Sequence, residues 1–215
     1  MKTDKTLKAT RITAVVLILL YLIAIFGVAF DNSVTDYSII IPTNLTALFI
    51  LLLLWDKNGV RSWIYLALVF VAGFCIEAIG VNTGLLFGQY EYLDSLGPKI
   101  FNTPILIGLN WALLIYCVAD ITNLFKIHWL LKALIGAGLM LIFDVALEPN
   151  AIRMEMWQWQ DDSIPVLNFL TWFGFSFILL LPATKALRKP NHIAPVIFSV
   201  QLAFFMVLNL IFSYR

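Results

Sequence analysis

WLLKALIGAGLMLIFDVALEP, residues 129–149, decides what kind of protein this is. It is an apolar run long enough to cross a bilayer, which takes about 20 residues in a helix, yet it carries Asp144 and Glu148 toward its end. A charged side chain at bilayer depth costs roughly 2.5–3.5 kcal/mol on insertion scales, so acids in such places usually have a task. Working outward, six further runs of similar length and character flank this one. The seven begin near Ile12, Ser38, Trp63, Pro104, Trp129, Ile164 and Ile193, and end near Phe30, Trp55, Val81, Leu124, Ala146, Leu187 and Phe212. With 61% hydrophobic residues, 13% charged residues and a mean hydropathy of +0.92, the chain cannot build an ordinary soluble surface. The expectation is an all-α polytopic membrane bundle of seven transmembrane helices, one integral membrane domain over residues 1–215. The first run is too long, and too weakly followed by small residues, to read as a cleaved signal peptide.

Orientation follows from the Lys and Arg residues, which concentrate on the cytoplasmic side near span ends. With the N-terminus inside, the inner side holds Lys2, Lys5, Lys8, Arg11, Lys57, Arg61, Lys126, Lys132, Lys185, Arg188 and Lys189. The outer side keeps Lys99, Arg153 and Arg215, together with Asp31, Asp36, Glu91, Asp94, Glu155, Asp161 and Asp162. This predicts a multi-pass protein of the cytoplasmic membrane with its C-terminus outside. Spans three and five then run in the same direction. Glu77 of span three and Asp144 of span five therefore reach the same depth, and Glu148 stacks one turn beyond Asp144 on the same face. The long outer connections, Asn82 to Thr103 and Pro149 to Ser163, lie over that end, where binding and chemistry tend to reside.

Those connections are rich in aromatic residues and glycine: Phe87, Tyr90, Tyr92 and Phe101 in the first, Trp157 and Trp159 in the second, with Trp111 and Trp172 on adjoining spans. Interfacial aromatic belts account for most of these rings. Gly80, Gly84, Gly88 and Gly97 alternate with the acids and rings, a spacing that serves either close helix packing or close approach to a flat ligand. The plainer readings of the remaining polar residues are a solvated interfacial Glu148, a solvated Asp120 at the inner end of span four, and Asp161 and Asp162 as caps of span six. Glu155 and Arg153 read as loop charges. Cys75 and Cys117 read as packing, and His128 and His192 lie on the inner side, away from the acids, so no metal site is expected.

The pattern Glu77-x-x-Gly80-x-x-Thr83-Gly84-x-x-Phe87-Gly88-x-Tyr90-x-Tyr92, followed by Pro104 and Trp111, then Asp144-x-x-x-Glu148-Pro149 and Trp157-x-Trp159, resembles the membrane carotenoid hydratase family. Its members include carotenoid 1,2-hydratases and bisanhydrobacterioruberin hydratases. The resemblance covers about half the chain, from span three to the loop before span six, and its specificity lies in the combination. It implies addition of water to the terminal double bond of an acyclic carotenoid end, giving a tertiary alcohol, with no cofactor. An acid in an apolar site keeps its proton, and a neighbouring carboxylate reinforces this. Asp144 is then the expected proton donor, Glu77 its coupled partner, and Glu148 a third catalytic carboxyl nearer the water phase. Tyr90, Tyr92, Trp157 and Trp159 suit a short-lived carbocation and a flat polyene, with Phe87, Trp111, Gly84 and Gly88 completing the substrate site. The implied partners are a carotenoid, water and membrane lipid, with other enzymes of the pathway as further candidates and no nucleic acid.

Competing classes differ in what they require. A retinal-binding seven-helix protein needs a Lys in its last span, and 193–215 contains none. A membrane prenyltransferase needs aspartate-rich motifs for Mg²⁺ and diphosphate. A proton-coupled transporter would use intramembrane acids as a relay, but these gather at one surface and no inverted repeat is visible. A carotenoid cyclase or isomerase is open to the same acid site, because a cation deprived of water loses a proton or is captured by another double bond.

Overall fold

A computed structural model describes residues 2–30 and 37–213. Asp31, Asp36 and Arg215, on which part of the orientation expectation leans, lie outside the described residues. Among the described residues seven helices are long and apolar enough to cross a membrane: Leu7–Phe30, Ser38–Trp55, Val60–Thr83, Ile105–Asn123, Trp129–Arg153, Val166–Ala186 and Ala194–Ser213. The protein is an all-α membrane bundle, as its composition requires. The helices are α1 (Lys2–Phe30), α2 (Tyr37–Trp55), α3 (Val60–Thr83), α4 (Ile105–Asn123), α5 (Trp129–Arg153), α6 (Val166–Leu180), the short α7 (Ala183–Ala186) and α8 (Ala194–Ser213). Leu181 and Pro182 interrupt the sixth span between α6 and α7.

α4 is the axis of the bundle. Residues 111–120 are buried without exception, and α4 packs against α2, α3, α5, α6 and α8. A helix that is apolar on every side is one that belongs in the interior. Its seam with α3 is made close by two glycines. A Cβ on Gly73 would stand 2.5 Å from the Cβ of Trp111, and one on Gly108 would stand 2.8 Å from the carbonyl oxygen of Phe70. Cys117 is buried in α4, whereas Cys75, expected to pack, faces outward from α3.

α5 runs further than expected, through Pro149 to Arg153. Proline removes one amide, the partner of the Val145 carbonyl, and so near a helix end it costs one bond without ending the helix. The next carbonyl, of Ala146, takes side-chain amides from Asn150 and Asn209, both at 2.9 Å, which ties the end of α5 to α8. Asp161 and Asp162 cap nothing, because α6 starts after Pro165 and has no side-chain cap.

The two long connections do not stay irregular. Tyr90–Tyr92 (β1) pairs antiparallel with Trp157–Trp159 (β4), and the hairpin Lys99–Ile100 (β2) with Thr103–Pro104 (β3) turns at Phe101 and Asn102, both at positive φ. The β1–β4 ladder closes one end of the bundle. At the opposite end a polar knot joins three segments. Asp56 accepts from Ser62 Oγ at 2.6 Å and Tyr116 Oη at 2.5 Å, while Asn58 holds the chain at Arg188 and Lys189. Asp120, expected in solvent, is buried there and accepts the Asn191 amide at 3.0 Å.

Candidate active site

Alternation along a strand decides what the lid presents inward. With a period of two, Tyr90 and Tyr92 share one face and Glu91 takes the other. Opposite them, Trp157 and Trp159 share a face and Gln158 is exposed. The four rings therefore make one aromatic surface: Tyr90 and Trp159 centroids lie 5.0 Å apart, and Tyr92 and Trp157 meet edge to face at 6.0 Å. Glu91 is exposed and stands apart from the other acids.

Beneath this surface are Glu77, Asp144 and Glu148, exposed by 3%, 0% and 1%. Glu77 is held by three donors. Tyr90 and Tyr92 hydroxyls both donate to Oε2 at 2.7 Å, and Trp111 Nε1 donates to Oε1 at 2.9 Å. Glu148 is held by three as well, with the indole N–H groups of Trp157 and Trp159 on Oε2 at 3.1 and 2.9 Å and Asn168 Nδ2 on Oε1 at 3.1 Å. The plainer reading of Glu148 as a solvated interfacial acid does not hold: β4 folds back over it, so the same residues that were to line the substrate site cover it. Among the described residues Asp144 has one donor, Asn168 Nδ2 at 2.8 Å on Oδ2, and its Oδ1 is buried without a partner.

The three carboxyls are close enough to interact electrostatically, and no Lys or Arg pairs with them among the described residues. Burial first, and then the charge of Glu77, push the phenols of Tyr90 and Tyr92 well above their ordinary range, so both remain neutral donors. Trp111 stacks on Trp172 at 4.3 Å between centroids, forming a side wall from α4 and α6.

The remaining sequence candidates position the lid. Phe87 is buried with its ring over Gly80, where a Cβ would collide with it. Gly84 ends α3 in the left-handed conformation, its amide on the Gly80 carbonyl at 2.8 Å. Gly88, at φ 106°, passes against Pro165. Helix termination and packing account for these two glycines. Asn168 was missed in the sequence. It joins Asp144 to Glu148, and its only signal is an amide inside the apolar run of span six.

Two cavities adjoin the cage. A polar one of about 520 Å³ lies outside the lid and is lined by Tyr90 and Trp159 together with Glu91, Gln158 and Gln160. An apolar one of about 650 Å³ lies on the far side of Trp157, between α1, α2 and the α4–α5–α8 wall.

The sequence profile of a family described as carotenoid biosynthesis protein matches residues 37–214. The chain belongs to that family. No curated protein and no solved structure matches it. As a carotenoid biosynthesis protein, this multi-pass membrane chain has a lipophilic carotenoid as its substrate, and the buried acids with their aromatic lid lie wholly within the matched residues.

Proposed function

We propose that this carotenoid biosynthesis protein is a hydratase that adds water across the terminal double bond of an acyclic carotenoid end group. The observation that carries the reading is the unequal solvation of three buried carboxyls. Glu77 and Glu148 each receive three hydrogen bonds, which satisfy an anion, while Asp144 Oδ1 receives none. Three negative charges in one apolar cage without a counter-cation cost more than leaving one carboxyl protonated. Asp144 Oδ1 is the seat for that proton.

The reaction then needs few parts. The Asp144 O–H proton goes to the less substituted alkene carbon, whose π electrons form the new C–H bond and leave a tertiary cation. The faces of Tyr90, Tyr92, Trp157 and Trp159, with the anions of Glu77 and Glu148, stabilise that cation. One water adds to it, its surplus proton passes to a carboxylate of the cage, and the tertiary alcohol leaves. Asn168 bridges Asp144 and Glu148, so it holds the donor beside the carboxylate placed to accept that proton. The polar cavity supplies water from outside, because Tyr90 and Trp159 both line it and donate into the cage.

Purified protein incubated with an acyclic carotenoid should yield a product heavier by one water, and Asp144→Asn should yield about a hundredfold less or lower still. A product of unchanged mass with an altered absorption spectrum would assign the same cage to cyclisation or isomerisation. Unaltered pigment in the presence of folded wild-type protein would overturn the reading.

A further inference from the structure

We infer that the apolar cavity between α1, α2 and the α4–α5–α8 wall is a bilayer-side groove that binds a long acyclic polyene, laid along the helices with its reactive end directed past Trp157 into the acid cage. The inference rests on the function proposed above and supplies what the cage lacks, a place for the rest of the substrate.

The groove exists because α1 and α2 pack on different neighbours. α1 leans chiefly on α8, and α2 on α4 and the helical turn Asp94–Leu96. Between them runs a polar bridge, Asn44 Nδ2 donating to Tyr21 Oη at 3.1 Å. Ala24 and Gly27 of α1 and Ala47 of α2 are small residues that keep the space open. Its volume, about 650 Å³, falls in the usual range of about 300–1,000 Å³ for small-molecule sites. The inner wall is largely apolar and aromatic, with Phe143, Phe204 and Phe205, which suits the flat face of a conjugated chain. Such a chain is already stiff and loses little freedom on binding, unlike a saturated acyl chain.

Continuity with the cage selects the occupant. Trp157 lines the groove and donates its indole N–H to Glu148. Phe143 and Leu147 line it one residue before Asp144 and Glu148 on α5. A hydrocarbon lying in the groove therefore ends one side chain away from the acids, and Trp157 is the partition.

Binding can be read without turnover. Lycopene, an acyclic carotenoid, is incorporated into phospholipid nanodiscs with wild type, Gly27→Phe, Ala47→Phe, Asp144→Asn and Gly174→Phe, and the retained pigment is measured by absorbance after repurification. A Cβ at Gly27 or at Gly174 meets nothing within 4 Å, and Gly174 does not line the groove. Both positions thus accept a Cβ without a clash, and the melting temperature of each variant reports whether the ring is accommodated as well. Expected are at least about tenfold weaker retention in Gly27→Phe and Ala47→Phe, and wild-type retention in Gly174→Phe and Asp144→Asn. A graded series Gly27→Ala, Gly27→Leu, Gly27→Phe should lower retention in step with side-chain volume at constant melting temperature. Equal retention across the series and in Ala47→Phe would mean that acyl chains of lipid fill the groove, and would overturn the inference. If wild type hydrates the polyene while the groove variants keep its KM, the groove fails and the hydratase stands. If the groove variants lose pigment but no hydrated product forms with wild type, the hydratase fails and the groove stands.

Discussion

Asp144 and Glu148 sit one helical turn apart on α5 and keep different company, which is why substitutions at the two should differ. On the proposed mechanism Asp144→Asn removes the proton donor and leaves the shape intact. General acid catalysis contributes about 10²–10⁴-fold, so product formation should fall by that factor in a mass assay while pigment binding persists. Glu148→Gln should be milder in rate, yet it leaves the Trp157 and Trp159 indoles facing an amide that also donates, and the lid should loosen. Asn168→Leu tests the residue that sequence reading overlooked. It strips both carboxyls of a donor, with about 1–3 kcal/mol lost for each group left unsatisfied, and the expected result is a lower melting temperature together with a lower rate. Asp144 and Glu148 were legible as intramembrane acids. Asn168 was not, because a single amide in an apolar span has no meaning until folding brings it opposite α5.

Among elements, the α3–α4 seam and the β1–β4 lid set the geometry. Gly73→Ala forces a Cβ to 2.5 Å from the Cβ of Trp111. Relief comes only by moving α4, which withdraws the Trp111 indole from Glu77. Overpacking of this kind costs about 1–3 kcal/mol. Activity should fall at Gly73→Ala, whereas Gly138→Ala, where a Cβ meets nothing within 4 Å, should leave it unchanged. Helices were readable from length and hydropathy alone. The lid was readable in principle, since Tyr-Glu-Tyr and Trp-Gln-Trp both alternate with the period of a strand. Three residues are too few for such a pattern to declare itself when its partner lies 65 to 69 positions away. The expected loops therefore concealed a ladder, and Glu148, whose plainer reading was a solvated interfacial acid, is covered by it.

For the molecule as a whole, the polar knot at the end remote from the acids fastens the α2–α3 turn and the segment before α8 to α4. Partial burial pushes the Asp56 carboxyl up, but the donors Ser62, Tyr116 and Asn58 outweigh it and hold it below the usual carboxylate range. A group whose folded value is depressed stabilises the fold above its unfolded value and loses that contribution as pH falls through the folded one. Wild type should therefore melt higher than Asp56→Asn at neutral pH, by a few degrees for about 1–2 kcal/mol of charge-assisted hydrogen bonding at this half-exposed site. The gap should close on acidification below the ordinary range of an aspartate, as followed by thermal melting across pH. A gap of constant size would show that Asp56 acts through packing alone.

The sequence by itself determined that this chain lives in a bilayer, how many times it can cross, and which spans carry acids at a common depth, because hydropathy and the rise of a helix are properties of consecutive residues. Only the tertiary structure decided that Glu77 and Glu148 are each wrapped by three donors, that Asp144 keeps one bare oxygen, and that Asp120 is buried. Those facts depend on which side chains meet across helices and strands distant in the chain, and burial without a partner is created by packing rather than by composition.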